Sequence, residues 1–406
     1  MIGSRYAGET WVRGPIGWGA ASRVTRMGCR TVLVMVPTMA AGARLLDLVP
    51  LLEGDFRIQV AVTIPHDGQT WHGVEEFVHA SGMLPVPWQQ AIHYEWDLVL
   101  TASHRHIEQI HGKVLVLPHG ASATRSRRFS RKAGGAGRPT TGLDRDLLTY
   151  RGRLIPSVLA LSHREELDVL RQTCPEAEEV AIVAGDICLD RMTRSLEFRD
   201  QYRAALGLAD DHTLVTVSST WSTDSTFGTH PDLYHRLLTE IGSSNIRAAA
   251  VIHPAVWAAH GVWQIRSWLA PALRAGLLLV PPEEGWRAVM IASDVVVGDH
   301  GSTTAYAAAV GRPVCMATVP REVLRPGGIA ATLADRVPLL DHKRPLLPQL
   351  CGAVECAAEF GGVLSSRAGR AAEDLRAAMY RLLAIDAPSW PPRLAPIPLP
   401  RPSEWR

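Results

Sequence analysis

Two histidines, His119 and His253, have the sequence neighbours expected of functional imidazoles. Each ends an apolar stretch, and His119 precedes a glycine while His253 precedes a proline. An imidazole at the end of a strand can move a proton near neutral pH or donate a hydrogen bond to a phosphate oxygen. We predict that both are catalytic, and a structural or solvated histidine is the alternative for each.

A short polar segment has the composition of a phosphate-binding helix start. It follows an apolar run, precedes the helical sequence AYAAAVG, and consists of Asp299, His300, Gly301, Ser302, Thr303 and Thr304. Backbone N–H groups in the first turn of a helix lack intrahelical partners and carry the positive end of the helix dipole. Glycine lets a ligand approach closely, and the hydroxyls add donors, so we predict that these residues bind a diphosphate. An ordinary Ser/Thr helix cap is the alternative.

The elements that must position these residues alternate between apolar runs and helical patterns. Strands are predicted at 31–36, 56–64, 98–101, 114–117 and 154–161, and again at 180–183, 214–217, 248–252, 277–280, 295–298 and 313–317. Helices are predicted at 40–52, 104–111, 196–206, 233–241, 262–275, 286–292, 304–310 and 368–383. This alternation predicts an α/β fold of two doubly wound, Rossmann-like parallel-sheet domains facing across a cleft.

The break between the two blocks of elements divides the chain. We place an N-terminal domain at residues 1–160, a C-terminal domain at 161–385 and a proline-rich tail at 386–406. Ligands of open parallel sheets bind beyond the carboxyl ends of the strands. The predicted donor site therefore adds to residues 299–304 the following strand-end residues: Gly185, Ser219, Thr220, Trp221, His253 and Glu284. Glu284 is equally compatible with an acid stabilised by a helix N-terminus.

The composition excludes several classes of protein. The chain carries 42 Lys and Arg against 40 Asp and Glu, a balance that argues against bulk binding of nucleic acid. No apolar run reaches the ~20 residues of a membrane span, no secretory signal is evident, and the cysteines form no CxxC pair. We expect a cytoplasmic protein that needs no cofactor and no metal ion.

One segment departs from this charge balance. Residues 121–143 form a predicted basic loop that contains no acidic residue. One interpretation is a solvated surface loop. The other is peripheral contact with an anionic acceptor or a membrane surface through Arg125, Arg127, Arg128, Arg131 and Lys132.

The order of these motifs resembles that of the CDP-glycerol glycerophosphotransferases of wall teichoic acid synthesis, which have the GT-B fold. The resemblance covers roughly residues 110–120 and 155–320. It rests on His119-Gly120, the sequence GDICLD at 185–190, Ser219-Thr220-Trp221, His253-Pro254, Ser293-Asp294 with residues 299–302, and Gly311-Arg312-Pro313-Val314. The same half is similar, more distantly, to the non-hydrolysing UDP-N-acetylglucosamine 2-epimerases.

The residues and the resemblance together imply a transferase. It would move a glycosyl or glycerophosphoryl group from a nucleotide-diphosphate donor to a hydroxyl acceptor. His119 would deprotonate the acceptor, and His253 and the helix start would hold the phosphates without a metal. Two alternatives stay open: a nucleotide-sugar 2-epimerase, and a non-catalytic nucleotide-binding protein on the same fold.

Overall fold

Two open parallel sheets organise the computed structural model of this chain, which describes residues 11–16, 20–22, 24–121, 142–242 and 244–401. The strands within these residues are β1 Arg30–Met35, β2 Ile58–Thr63, β3 Leu84–Pro85, β4 Glu95–Thr101, β5 His111–Val116, β6 Thr149–Tyr150, β7 Arg153–Leu154, β8 Val158–Leu161, β9 Ala181–Val183, β10 Thr213–Ser219, β11 Ile246–Ile252, β12 Leu278–Leu279, β13 Val295–Gly298 and β14 Val314–Met316. The first sheet has the order β3-β2-β1-β4-β5-β8-β9 and the second β12-β11-β10-β13-β14. All pairs in both sheets are parallel, which confirms the predicted fold class.

Helices cover both faces of each sheet, and this is why the central strands read as unbroken apolar runs. The helices within the described residues are α1 Met39–Leu48, α2 Val74–Ala80, α3 Trp88–Ala91, α4 Arg145–Leu148, α5 Glu165–Thr173, α6 Ile187–Arg194, α7 Arg199–Ala205, α8 Thr226–Thr229, α9 Leu233–Ile241, α10 Pro254–His260, α11 Val262–Arg274, α12 Trp286–Ala292, α13 Ser302–Ala309, α14 Ile329–Arg336, α15 Leu347–Leu350, α16 Ala357–Leu364 and α17 Ala371–Leu383. We call each sheet with its helices a lobe.

The strand order reverses at one point in each sheet. In the N-terminal lobe β1 lies between β2 and β4, and in the C-terminal lobe β10 lies between β11 and β13. The chain therefore leaves β1 and β4, and likewise β10 and β13, in opposite directions, which opens a crevice beyond their carboxyl ends.

Side-chain caps start the helices that border the cleft between the lobes. The Thr38 hydroxyl accepts a hydrogen bond from the Ala41 N–H at 3.2 Å to begin α1. The Asp186 carboxylate accepts from the Leu189 N–H at 2.9 Å to begin α6. Each cap satisfies one of the N–H groups that a helix start leaves without an intrahelical partner.

Three predicted elements differ from the structure. Residues 104–111 form no α-helix: Ile107–Gln109 make a single 3-10 turn, and His106 before it has a φ of 59°, outside the helical region. Residues 154–161 form two strands, because Pro156 has no N–H to donate to a ladder and separates β7 from β8. The strand predicted at 180–183 was assigned to the second block, but β9 pairs with β8 in the first sheet.

Before its proline-rich tail, the chain passes between the lobes twice. It leaves the N-terminal lobe through α6, whose Ile187 packs in the core of the first sheet and whose Met192 packs in the core of the second. It returns after α16, and α17 buries Leu375 against the apolar residues of β1 and β4. The first sheet therefore extends past residue 160, and its core is completed by a helix more than 180 residues further along.

The described part of the proline-rich tail, residues 386–401, contains no helix or strand. It is nevertheless attached to the C-terminal lobe. Ile397 is buried in that core, and its carbonyl oxygen accepts a hydrogen bond of 2.8 Å from the Tyr202 hydroxyl. No helix among the described residues is both long and apolar enough to cross a membrane.

The packing of α17 predicts which lobe becomes less stable when one of its buried side chains is shortened. Leu375→Ala should destabilise the protein by about 2–5 kcal/mol, because the side chain is fully buried. In native-state hydrogen exchange, β1 and β4 should lose protection while β10 and β11 keep it. Leu237→Ala, an equally buried leucine in α9 of the C-terminal lobe, is the matched control and should do the reverse. Faster exchange of β10 and β11 in Leu375→Ala would contradict this assignment.

Candidate active site between the two lobes

The two lobes enclose a cleft at the carboxyl ends of their strands. Among the predicted site residues, nine line it: His119 from the N-terminal lobe and Thr220, Trp221, His253, Asp299, His300, Gly301, Ser302 and Thr303 from the C-terminal lobe. The carboxyl ends of the strands thus bring together side chains separated by up to 184 positions in the sequence.

Four other predicted site residues lie behind the cleft lining. The Ser219 hydroxyl accepts from the Phe227 N–H at 2.9 Å, and the buried Thr304 hydroxyl accepts from the Asp299 N–H at 3.2 Å. Glu284 forms an ion pair of 2.7 Å with Arg287. These three side chains support the loops of the site.

Gly185, the fourth, lies where the chain passes between the lobes. Its φ of +88° is in the left-handed region that favours glycine. A Cβ there would lie 3.0 Å from the Ser365 hydroxyl and from the Arg367 carbonyl oxygen. Asp190, the last residue of the GDICLD motif, accepts the Gly369 and Ala371 N–H groups at 2.7 and 3.0 Å. The motif at 185–190 therefore packs against residues 365–371, and these are the two segments that pass between the lobes.

The Asp299 carboxylate joins the loops that follow β10 and β13. It is fully buried, and it accepts hydrogen bonds of 2.9 Å from the N–H groups of Thr220, Thr226 and Gly301. Asp299 therefore holds the two loops together, and as an acceptor it is not a donor to a bound anion.

The start of α13 brings backbone N–H groups to the cleft. Gly301 is the N-cap residue without a side-chain cap, and α13 begins at Ser302. The sequence prediction assigned all of 299–304 to the phosphate-binding site. The Gly301 N–H is instead taken by Asp299, so the donors of the helix start are the N–H groups of Ser302, Thr303 and Thr304, which precede the first intrahelical bond.

A backbone hydrogen bond determines the neutral tautomer of His119. Its Nδ1 lies 3.0 Å from the carbonyl oxygen of Ala102, at the end of β4. A carbonyl oxygen can only accept, so Nδ1 carries the proton and Nε2 carries the lone pair. Nε2 is the atom that a general base needs.

His253 is held in the opposite tautomer. Its Nδ1 accepts a hydrogen bond of 3.1 Å from the Ala255 N–H, and this bond caps α10. An N–H can only donate, so Nδ1 carries the lone pair and Nε2 carries the proton in the neutral ring. The two histidines of the cleft therefore differ in chemistry: Nε2 of His119 accepts a proton, and Nε2 of His253 donates a hydrogen bond.

The turn that bears His119 touches the start of α13. A Cβ added to Gly120 would lie 2.6 Å from the Ser302 hydroxyl oxygen. A side chain at residue 120 would force the Ser302 hydroxyl to move, so glycine permits this close approach without rearrangement. The turn of His119 and the start of α13 thus lie against each other at Gly120.

A buried polar cluster under the cleft was not predicted from the sequence. Arg44 of α1 lines the cleft and pairs with Asp186 at 2.9 Å, and the Tyr306 hydroxyl donates to the same carboxylate at 2.7 Å. Nearby, Asp47 of α1 pairs with Arg191 and with Arg287. One sequence signal was available, since Arg44 and Asp47 are the charged residues of an otherwise apolar α1.

The cysteine that lines the cleft is not in the ionised form that a thiol nucleophile needs. Burial raises the pKa of the Cys188 thiol, which lines the cleft, to about 11, so it stays protonated at neutral pH. Among the described residues no group of three or more His, Cys, Asp and Glu side chains is placed to hold a metal ion. The basic residues Arg125, Arg127, Arg128, Arg131 and Lys132 lie outside the described part of the chain.

Two sheets of this topology enclosing a cleft define the GT-B fold, which the chain has. The wall teichoic acid polymerase TagF, in a variant soaked with CDPG, superposes with a TM-score of 0.59 at 12% identity over 87% of this chain and 88% of that one. Another TagF variant gives 0.58 at 11% identity over 87% and 89%. UDP-GlcNAc 2-epimerase from Neisseria meningitidis bound to UDP-GlcNAc gives 0.50 at 14% identity over 87% and 99%.

At these identities the likeness is one of fold. The sequence matches no protein-family model, and no curated protein is significantly similar to it. The chemistry of the cleft must therefore be argued from its own residues.

The tautomers can be tested without a substrate. In 15N-labelled protein at a pH where both rings are neutral, His119 should show a protonated Nδ1 and His253 a protonated Nε2. Assignment uses the His119→Asn and His253→Asn variants, each of which removes one ring. The same tautomer in both rings would contradict the assignment of base and donor.

Proposed function

We propose that this protein is a GT-B transferase that moves a glycosyl or glycerophosphoryl group from a nucleotide-diphosphate donor to a hydroxyl acceptor. One observation carries the proposal: a histidine with Nε2 as acceptor and a histidine with Nε2 as donor line one cleft, with a helix start beside them. Deprotonation of a nucleophile and binding of a phosphate are the two tasks that such a transfer requires.

The proposed reaction uses these groups in sequence. Nε2 of His119 takes the proton from the acceptor hydroxyl as its oxygen attacks the transferred carbon or phosphorus. The bond from that atom to the bridging phosphate oxygen breaks, and its electron pair goes to the leaving nucleotide phosphate. The N–H groups of α13 and Nε2–H of His253 stabilise that negative charge, because the fold holds these donors in place before the reaction. The resemblance to the glycerophosphotransferases favours the same class.

The site residues divide into two sets under this proposal. His119 belongs to the acceptor side, whereas Thr220, Trp221, His253, His300 and the start of α13 belong to the donor side. The N-terminal lobe is then the acceptor domain and the C-terminal lobe the nucleotide domain. Contact of the basic loop with an anionic acceptor or a membrane, and a cytoplasmic location, remain part of the proposal.

A nucleotide panel tests the donor site. CDP, UDP, GDP and dTDP should separate in a thermal-shift assay, because a nucleotide at a hundred times its Kd adds about 2.7 kcal/mol of stability. Activated donors of the stabilising base are then incubated with and without hydroxyl acceptors. Conversion that needs an acceptor supports the transferase, whereas isomerisation of the donor alone identifies an epimerase. Nucleotide binding with no turnover of any donor would indicate a non-catalytic protein, and stabilisation by none of the four would overturn the proposal.

Asparagine variants separate the two histidine roles. Asn at position 119 keeps a donor for the Ala102 carbonyl but removes the base, so kcat should fall about 10²–10⁴-fold while donor Kd stays within about threefold. His253→Asn keeps an acceptor to cap α10 but removes the Nε2–H group. It should raise donor Kd about 10–100-fold, as expected for loss of a hydrogen bond to a charged group. Loss of donor affinity in His119→Asn as large as its loss of activity would refute the base assignment.

A further inference from the structure

Arg44 connects three groups that come from different parts of the chain. It lies on α1 of the N-terminal lobe, and its side chain is only 4% exposed. Its Nη1 donates to Asp186 at 2.9 Å, and its Nη2 donates to the Gly120 carbonyl oxygen at 3.2 Å and to the Tyr306 hydroxyl. Gly120 belongs to the turn of His119, and Tyr306 belongs to α13, the helix whose start forms the anion site.

We infer that Arg44 is a positioning residue, which fixes the His119 turn against α13 and so sets the distance between the base and the donor phosphates. The inference rests on the proposed function and extends it to a residue that does not react. Gly120 already lies against Ser302, and the hydrogen bond from Arg44 holds its carbonyl group in place. A shift of about 1 Å in a reacting group can cost 10²-fold in rate, so this contact bears directly on turnover.

The chemistry of the site requires a guanidinium. Burial disfavours its charge, but Asp186 and Tyr306 outweigh that effect and raise the pKa of Arg44 well above its ordinary value, so the group stays charged. Both terminal nitrogens of its planar fork reach the Asp186 carboxylate, at 2.9 and 3.4 Å, and Nη2 also donates to the Gly120 carbonyl oxygen. A lysine has a single nitrogen and cannot hold both in the same geometry. Arg44→Lys therefore keeps the positive charge beside Asp186 but loses the hydrogen bond to the Gly120 carbonyl oxygen.

The chain offers a matched control in Arg191. That arginine is also buried, pairs with an aspartate of α1, Asp47, and donates to the carbonyl oxygens of Ala395 and Pro396 at 3.0 Å. It does not line the cleft. A merely structural role for Arg44 predicts that Arg44→Lys and Arg191→Lys behave alike.

The experiment compares the two lysine variants with the wild type. Arg44→Lys should lower kcat about 10–100-fold with donor Kd within about threefold, and its melting temperature should resemble that of Arg191→Lys, which should keep near wild-type kcat. The Nδ1–H NMR signal of His119 should shift or broaden in Arg44→Lys only. Equal kcat in the two variants, or an unchanged His119 signal, would overturn the inference.

A second variant covers the case in which Arg44→Lys does not fold. Tyr306→Phe keeps the ion pair and removes only the hydroxyl that orients the guanidinium, so it should give a smaller change in the same direction. If the wild type turns over no donor, the proposed function fails. The His119 signal in the variants then still decides whether Arg44 positions that ring.

Discussion

The hydrogen bonds of the buried Asp299 carboxylate are the interactions on which the C-terminal side of the cleft depends. An isolated charge inside a protein costs several kcal/mol, and Asp299 offsets that cost with three backbone N–H groups from two loops. The loops after β10 and β13 satisfy it together, in the arrangement that the structure shows. Because these strands flank the point where the strand order reverses, that arrangement also fixes the floor of the crevice.

The main chain then assigns chemistry to the two histidines. Each ring uses Nδ1 on the backbone of its own lobe, His119 as donor to the end of β4 and His253 as acceptor at the start of α10. Opposite tautomers follow from these local contacts. The backbone thus makes one ring a proton acceptor and the other a hydrogen-bond donor. The partner of His253 is two residues away in the sequence, whereas that of His119 lies at the end of another strand.

The sequence was sufficient for features that depend on local pattern. Period, apolar runs and strand ends located the two sheets, α9 and α12 to the residue, and nine residues of the cleft lining. Features that depend on distant partners could not be found this way. The GDICLD motif indicated a ligand site, yet Gly185 and Asp190 serve residues 365–371, nearly 180 positions away. Strand β9 was assigned to the wrong sheet, because an apolar run does not identify its neighbour. Arg44 gave no sign of its contacts with Gly120 and Tyr306 beyond its presence in an apolar helix.

The distribution of charge around the cleft has a consequence for the proposed transfer reaction. Among the described residues that line it, Arg44 and Arg287 are the only lysine or arginine side chains, and both are paired with carboxylates of the buried cluster. Arg44, Arg191 and Arg287 are balanced by Asp47, Asp186 and Glu284, so the cluster has no net charge. An anion in the cleft is therefore met by helix amides and imidazoles instead of unpaired guanidinium groups. Each hydrogen bond to a phosphate is charge-assisted because the phosphate is ionised, but no unpaired positive side chain is added to it. Such a site can stabilise charge that develops on a leaving phosphate and still release the product, as the proposed transfer requires.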